Sequence, residues 1–145
     1  MTRLASISEE LVASLQDASV SKQRAASIAA CRFALANASV DDSSVAEAVQ
    51  VIEGGRSLSE QQGAALDALV ARLDGEHLQL QEAEEEGRAS SEDYMRVFGQ
   101  ARAVAAVAFA GGGDPFEAAT EAIYEAAAAT DSQDDLVARI EEALK

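Results

Sequence analysis

The residue pattern closest to a known chemical site lies at Asp74-Gly75-Glu76-His77. Asp74 precedes the only histidine by three residues, a spacing that would bring both side chains to one face of a helix. Di-metal sites in helical bundles, however, require two Glu-x-x-His elements, and the chain contains one histidine. Gly75 also weakens a helix between the two residues. We therefore expect His77 to be a surface or partly buried histidine, and we predict no metal site and no cofactor.

Nucleophilic chemistry has little support in the sequence. Cys31 is the only cysteine, so it cannot form an internal disulfide, and it stands among periodic apolar residues. This context is typical of a small buried hydrophobe, with a reactive thiol or an intermolecular bridge as the alternative. Gly111-Gly112-Gly113 follows a helical pattern and has no adjacent Lys, Ser or Thr, so it does not match a phosphate-binding loop. We predict no catalytic residue and a protein that is not an enzyme.

Acidity is the bulk property with the clearest functional meaning. The net charge is -15, and residues 41–86 hold 12 Asp and Glu against 2 Lys and Arg. Such a field repels nucleic acids and anionic membranes and attracts basic proteins. A solvated face that keeps the protein soluble is one interpretation, and a surface complementary to a basic protein is the other. The centre of that surface would comprise Asp74, Glu76, Glu82, Glu84, Glu85 and Glu86.

The elements that position these residues are predicted to be helices throughout. The chain is rich in alanine, contains one proline and lacks clustered β-branched runs. Its 145 residues suit a single core. We expect one all-α domain over residues 1–145, a bundle of about six to eight helices.

A central antiparallel αα-hairpin is predicted between Ser90 and Thr130. Its first helix has an apolar stripe from Tyr94 to Phe109, its turn is the glycine run, and Asp114-Pro115 has the cap and first-turn residues of a second helix. Alanines on the second helix would let the two axes approach closely. The hairpin is therefore expected to form the frame of the bundle.

The boundaries of the other helices follow from capping residues and glycines. Ser21 is expected to cap a helix that buries Ala25, Ile28, Ala29, Phe33 and Ala36. Ser44 is expected to open the next helix, and Ser57 another. Asp74-Gly75 should end or interrupt that helix and leave a short exposed one from Glu76 to Gly87.

The order of three segments resembles a known family. A helix ends in Cys31-Arg32-Phe33-Ala34-Leu35, a second ends in Leu69-Val70-Ala71-Arg72-Leu73-Asp74-Gly75-Glu76, and a hairpin turns at Asp114-Pro115. Over roughly Ser21 to Thr130 the chain resembles the fifth family of all-helical immunity proteins of bacterial polymorphic-toxin systems. This resemblance implies a protein that binds a cognate toxin domain and blocks it without catalysis.

We therefore expect a non-enzymatic protein whose partner is a basic protein, most simply a toxin domain. The alternative is a helical scaffold or adaptor that acts through self-association, as a homodimer, or through a groove between helices. The N-terminus lacks the apolar core of a signal peptide, and the longest apolar run, Ala103 to Ala110, is shorter than the roughly 20 residues of a membrane span. The expected location is the cytoplasm, with no membrane or nucleic-acid partner.

Overall fold

Seven α-helices and one short 3-10 helix build residues 2–145, the part of the chain that this computed structural model describes. This part contains no β-strand, which confirms the all-α prediction. A 3-10 helix, Arg3–Ser6, precedes the first α-helix. The α-helices are α1 (Glu9–Asp17), α2 (Val20–Ala38), α3 (Ser43–Glu53), α4 (Glu60–Glu85), α5 (Ser91–Ala110), α6 (Pro115–Ala128) and α7 (Gln133–Ala143).

Most helices begin where a short polar side chain accepts a hydrogen bond from a free backbone N–H of the first turn. Three of these caps differ from the predicted ones. Ser19, and not Ser21, caps α2, and Ser59 caps α4 in a capping box with Gln62. Asp42 caps α3 in place of Ser44, because its carboxylate accepts from the backbone N–H groups of Ser44 and Val45 and from the Ser44 hydroxyl.

The predicted central hairpin is present as α5 and α6, joined by residues 111–114. The helices are antiparallel, since Arg102 meets Glu125 while the Gly99 backbone approaches Ala129. The predicted stripe on α5 is too narrow, because its C-terminal half is surrounded by α2, α3, α4 and α6 and is buried on nearly all sides. Phe109, placed inside by the stripe, is 40% exposed. The buried residues of this half are Ala101, Ala103, Val104, Ala105, Ala106, Val107 and Ala110.

Helix α2 faces the core with a different stripe from the one predicted. Its buried residues are mostly small, and they include polar ones, so the larger apolar residues did not mark the inner face. Ala36 is exposed, and the Phe33 ring is only partly buried beneath the guanidinium of Arg139 on α7. Close packing against the alanines of α5 and α6 explains this preference for small side chains. The buried set is Gln23, Ala26, Ser27, Ala30, Cys31 and Ala34.

Helix α4 corrects another prediction, because it runs without interruption through Asp74-Gly75 and continues to Glu85. Gly75 lies on an exposed side of the helix, where an added Cβ would meet nothing within 4 Å. The helix is held on its other side by α5, against which Leu66, Leu69 and Leu73 pack. Tertiary packing therefore outweighs the cost of one helical glycine, about 1 kcal/mol. The separate helix expected from Glu76 to Gly87 is the C-terminal part of α4.

Candidate interaction surface

The six acidic residues singled out in the sequence lie in the C-terminal part of α4 and at its end. This part pairs with the N-terminal half of α5 in a second antiparallel hairpin, closed by residues 86–90. Two contacts fix the register: Arg102 binds Asp74, and the His77 ring lies against Tyr94 and Phe98. Residues 74–96, which begin at Asp74 and end just before the buried Val97, are called the projecting hairpin below.

The projecting hairpin extends past the ends of the neighbouring helices. The close approach of the α5 backbone to α2 and α6 occurs at Gly99, where an added Cβ would lie 3.4 Å from the Ala129 carbonyl oxygen and 4.0 Å from the Ala38 Cβ. Because α2 ends at Ala38 and α6 at Ala128, residues 91–98 of α5 continue beyond both. Eight helical residues correspond to about 12 Å. None of residues 74–96, all of which the structure describes, is buried.

Charge is concentrated on this projection. Residues 74–93 contain eight Asp and Glu and a single Arg, so their formal net charge is -7. Glu82, Glu84 and Glu85 have no Lys, Arg or His nitrogen within 4.0 Å among residues 2–145. These carboxylates are therefore available to a partner's cations without first breaking an ion pair.

The other predicted residues are already engaged within the chain. Asp74 accepts two hydrogen bonds from Arg102, with distances of 3.0 and 3.2 Å. Glu76 lies 3.8 Å from Arg72 one turn earlier, and Glu86 binds Arg88 in the turn. The structure thus leaves Glu82, Glu84 and Glu85, called the free acidic group below, without an internal ion pair among residues 2–145. Glu82 and Glu85 share a helical face, and Glu84 lies on a different one.

Two exposed apolar side chains lie among these acids. Leu78 is 59% exposed and Met95 is 53% exposed. Leu78 stands four residues after Asp74, and Met95 seven residues before Arg102, so each shares a helical face with a member of the Asp74–Arg102 pair. Leu78 and Met95 therefore lie on the same side of the projecting hairpin.

A groove opens at the base of the projecting hairpin, where helix α5 passes the ends of α2 and α6. It has a volume of about 390 Å³ and is called the notch below. Met95 and Phe98 give it an apolar wall, and Glu92, Arg96 and Asp131 supply its charged groups. The remaining lining comes from residues 37–39, Gly99 and residues 128–130.

His77 is partly buried, in agreement with the sequence prediction. Its Nδ1 lies 3.0 Å from the backbone carbonyl oxygen of Tyr94, which can only accept, so this contact requires the proton on Nδ1. The neighbouring Asp74 is bound to Arg102. Among residues 2–145 no group of three or more His, Cys, Asp or Glu side chains is arranged to hold a metal ion.

Sequence reasoning missed a chain of ion pairs that crosses the molecule. Arg102 on α5 donates to Glu125 on α6 at 3.1 Å as well as to Asp74 on α4, and Glu125 also accepts from Arg3 at 3.1 Å. Arg3 binds Glu121 and stacks over the Tyr124 ring at 4.4 Å from its centroid. The one sequence signal for these ion pairs is a glutamate, Glu125, within the alanine-rich segment of α6. Its contact with Arg102 depends on how α5 and α6 pack, which the sequence pattern does not give.

Cys31 is buried, as predicted from its apolar context. Its Sγ lies 3.6 Å from the carbonyl oxygen of Ala106, to which the thiol can donate. Burial, with a smaller contribution from the negative charge of Glu53, raises the pKa of Cys31 to about 12. The thiol is therefore protonated at neutral pH, which removes the thiolate that nucleophilic chemistry would require.

Comparisons with known proteins give no assignment for this surface. No protein-family model, curated protein or solved structure matches the chain. No helix of residues 2–145 is long and apolar enough to cross a membrane. The interpretation of the projecting hairpin therefore depends on its own geometry and charge.

Proposed function

We propose that this protein is a non-enzymatic binding protein whose projecting hairpin contacts a basic protein partner. The observation that carries the proposal is the free acidic group Glu82, Glu84 and Glu85, located on a projection that the rest of the bundle leaves uncovered. Unpaired exposed charges cost little to bring against cations, because no internal ion pair is lost. Opposite charge on the partner accelerates encounter and selects against acidic competitors.

A toxin domain is the partner that the resemblance to immunity proteins implies. Toxins that act on nucleic acids need a basic cleft for phosphates, and an acidic projection could occupy such a cleft in place of the substrate. Binding alone would then inhibit the toxin, and no catalytic group is required. The fit is one of shape and charge: a two-helix projection about 12 Å long with a net charge of -7 over residues 74–93.

The test is binding to a basic domain encoded beside this chain, measured by titration calorimetry at increasing NaCl concentrations. We expect the affinity to fall steeply with salt, since exposed charges are screened. The variant Glu82→Lys/Glu84→Lys/Glu85→Lys should bind at least tenfold more weakly. A matched control reverses three exposed acids outside the projection, Asp17, Asp67 and Glu141. Equal losses in both variants would show a response to net charge alone and contradict the proposed site.

Self-association is the second candidate function, because Leu78 and Met95 expose apolar surface on one side of the projection. A scaffold of this kind would form a homodimer that buries both side chains. Sedimentation velocity separates the two functions: a concentration-independent monomer favours the binding protein. A dimer that Met95→Gln dissociates favours the scaffold.

A further inference from the structure

The notch at the base of the projection combines an apolar wall with a negative floor. Met95 and Phe98 form the wall on α5. The floor contains the C-terminal residues of α2 and α6, Ala38 and Ala128. The last carbonyl groups of a helix lack intrahelical partners and carry the negative end of its dipole, so both helices favour a cation here.

Side-chain charges add to this preference. Glu92 and Asp131 line the notch with carboxylates, and Arg96 is its single cation. Arg96 stands four residues after Glu92 on α5, a spacing at which the two side chains are neighbours. Among residues 2–145 the structure shows no Arg96–Glu92 ion pair within 4.0 Å, so Arg96 opposes a cationic ligand through its charge alone, and removal of Arg96 should improve the site.

We infer that the notch binds a cationic amphipathic helical segment of the protein partner, with its apolar side chains on Met95 and Phe98 and a Lys or Arg at the ends of α2 and α6. This inference rests on the proposed function and deepens it, because it states which element of a basic partner makes the central contact. The apolar contact supplies the specificity that charge alone cannot.

The probe is a synthetic 18-residue amphipathic helix of Lys, Leu and Ala, compared with the peptide of the same pattern in which Glu replaces Lys. Each is titrated into the full-length, isotope-labelled protein at about 50 mM NaCl, where surface charges are weakly screened, and backbone amide shifts are followed by NMR. We expect the Lys peptide to shift the amides of Met95, Gly99, Thr130 and Asp131, and the Glu peptide to shift none of them.

Two variants test the two components of the site. Met95→Gln should weaken Lys-peptide binding about five- to tenfold, because it removes apolar contact without changing charge. Val20→Gln is the matched control, since Val20 is 61% exposed on α2 far from the notch, and it should leave the affinity unchanged. Arg96→Gln should tighten binding severalfold. Equal effects of Met95→Gln and Val20→Gln would overturn the inference.

The outcomes separate this inference from the function on which it rests. Shifts confined to residues 82–86 would overturn the notch as the site and leave acidic recognition by the projection intact. Equal binding of the Lys and Glu peptides would overturn both, because neither charge complementarity nor a cation site would remain. If the protein is a dimer that both the peptide and Met95→Gln dissociate, the notch is a self-association surface. This result would also overturn the inference.

Discussion

In its C-terminal half, helix α5 is buried by four neighbouring helices, and in its N-terminal half only Val97 and Gly99 are buried. The C-terminal half contains mostly alanine and valine, so that the axes of α2, α5 and α6 can approach closely. The N-terminal half contains Glu92, Tyr94, Met95 and Arg96, whose size and polarity suit a surface. One continuous helix therefore serves as the centre of the core and as one arm of a projection.

The carboxylates beside the buried half of α5 and those on the projecting hairpin differ in burial and in ion pairing. Glu125, beside the buried half, is 3% exposed and bound to both Arg3 and Arg102. Glu82, Glu84 and Glu85, on the projection, have no such partners within residues 2–145. A buried carboxylate must be paired because desolvation is costly, whereas an exposed one can remain free at little cost. Under the proposed function, stability and recognition therefore depend on different carboxylates.

The largest difference is expected in hydrogen exchange. Amides of residues 101–107 should exchange only through global unfolding, because their helix is enclosed by packed neighbours. Amides of residues 80–86 should exchange through local opening of the projecting hairpin. We expect protection factors on the order of a thousandfold apart, measured by NMR after transfer to deuterated water. Equal protection in the two segments would show that the projection is as stable as the core.

Loss of the buried carboxylate should be the most destabilising single change in the comparison. Glu125→Ala leaves two guanidinium groups without their shared partner, but Arg102 keeps Asp74 and Arg3 keeps Glu121. We therefore expect a loss of about 2 kcal/mol in the free energy of unfolding, the size of a hydrogen bond to a charged group. The Nε of Arg102 is already buried without a hydrogen-bond partner. Loss of Glu125 would therefore remove one of the two carboxylates that bind this guanidinium. Urea unfolding of wild type and variant measures the change.

The matched control is Glu121→Ala, which removes the more exposed of the two Arg3 partners. Exposed ion pairs contribute about 0–1 kcal/mol, so this variant should unfold near the wild-type midpoint. Glu82→Lys/Glu84→Lys/Glu85→Lys should likewise leave the midpoint nearly unchanged. A cost for Glu125→Ala no larger than for these controls would contradict the assignment of stability to the buried pair.

The free energy of unfolding should depend on pH through Cys31, which packs against Ala106 in the buried half of α5. Its pKa is raised from an ordinary value of 9.0 to about 12 by burial, so the unfolded chain loses the thiol proton first as the pH rises. The stability that this group contributes is complete below pH 9 and falls by about 1.4 kcal/mol per pH unit up to about pH 12. Cys31→Ala should lack this part of the decrease, as measured by urea unfolding at pH 8 and pH 10.

Local signals in the sequence were sufficient for the fold class and for the central hairpin. Alanine content and the Asp114-Pro115 start indicated helices and a turn that the structure contains. Capping residues were located to within two positions, because several adjacent Ser and Asp side chains could each accept the same first-turn N–H groups. Such competition is decided by the packing of the helix that follows.

The site could be predicted only in part, because its shape depends on how far two helices extend past their neighbours. The acidic run was evident, but the division between paired Asp74 and free Glu82 depends on Arg102, which is 28 residues away from Asp74 in the chain. Helix α2 likewise buries Ser27 and Gln23 while Ala36 is exposed, which no apolar periodicity indicates. Tertiary contacts supply this information.

The smallest expected effect concerns the residue where the core and the projection meet, Gly75. An exposed glycine in the interior of a helix costs about 0.5–1 kcal/mol relative to alanine, and an added Cβ would meet nothing within 4 Å. Gly75→Ala should therefore raise the free energy of unfolding by that amount and slow exchange of the amides in residues 76–85. Gly87→Ala is the contrasting variant, because Gly87 has a φ of +78°, and it should destabilise the turn instead. A loss of stability in Gly75→Ala would contradict the placement of Gly75 on an exposed side of a continuous helix.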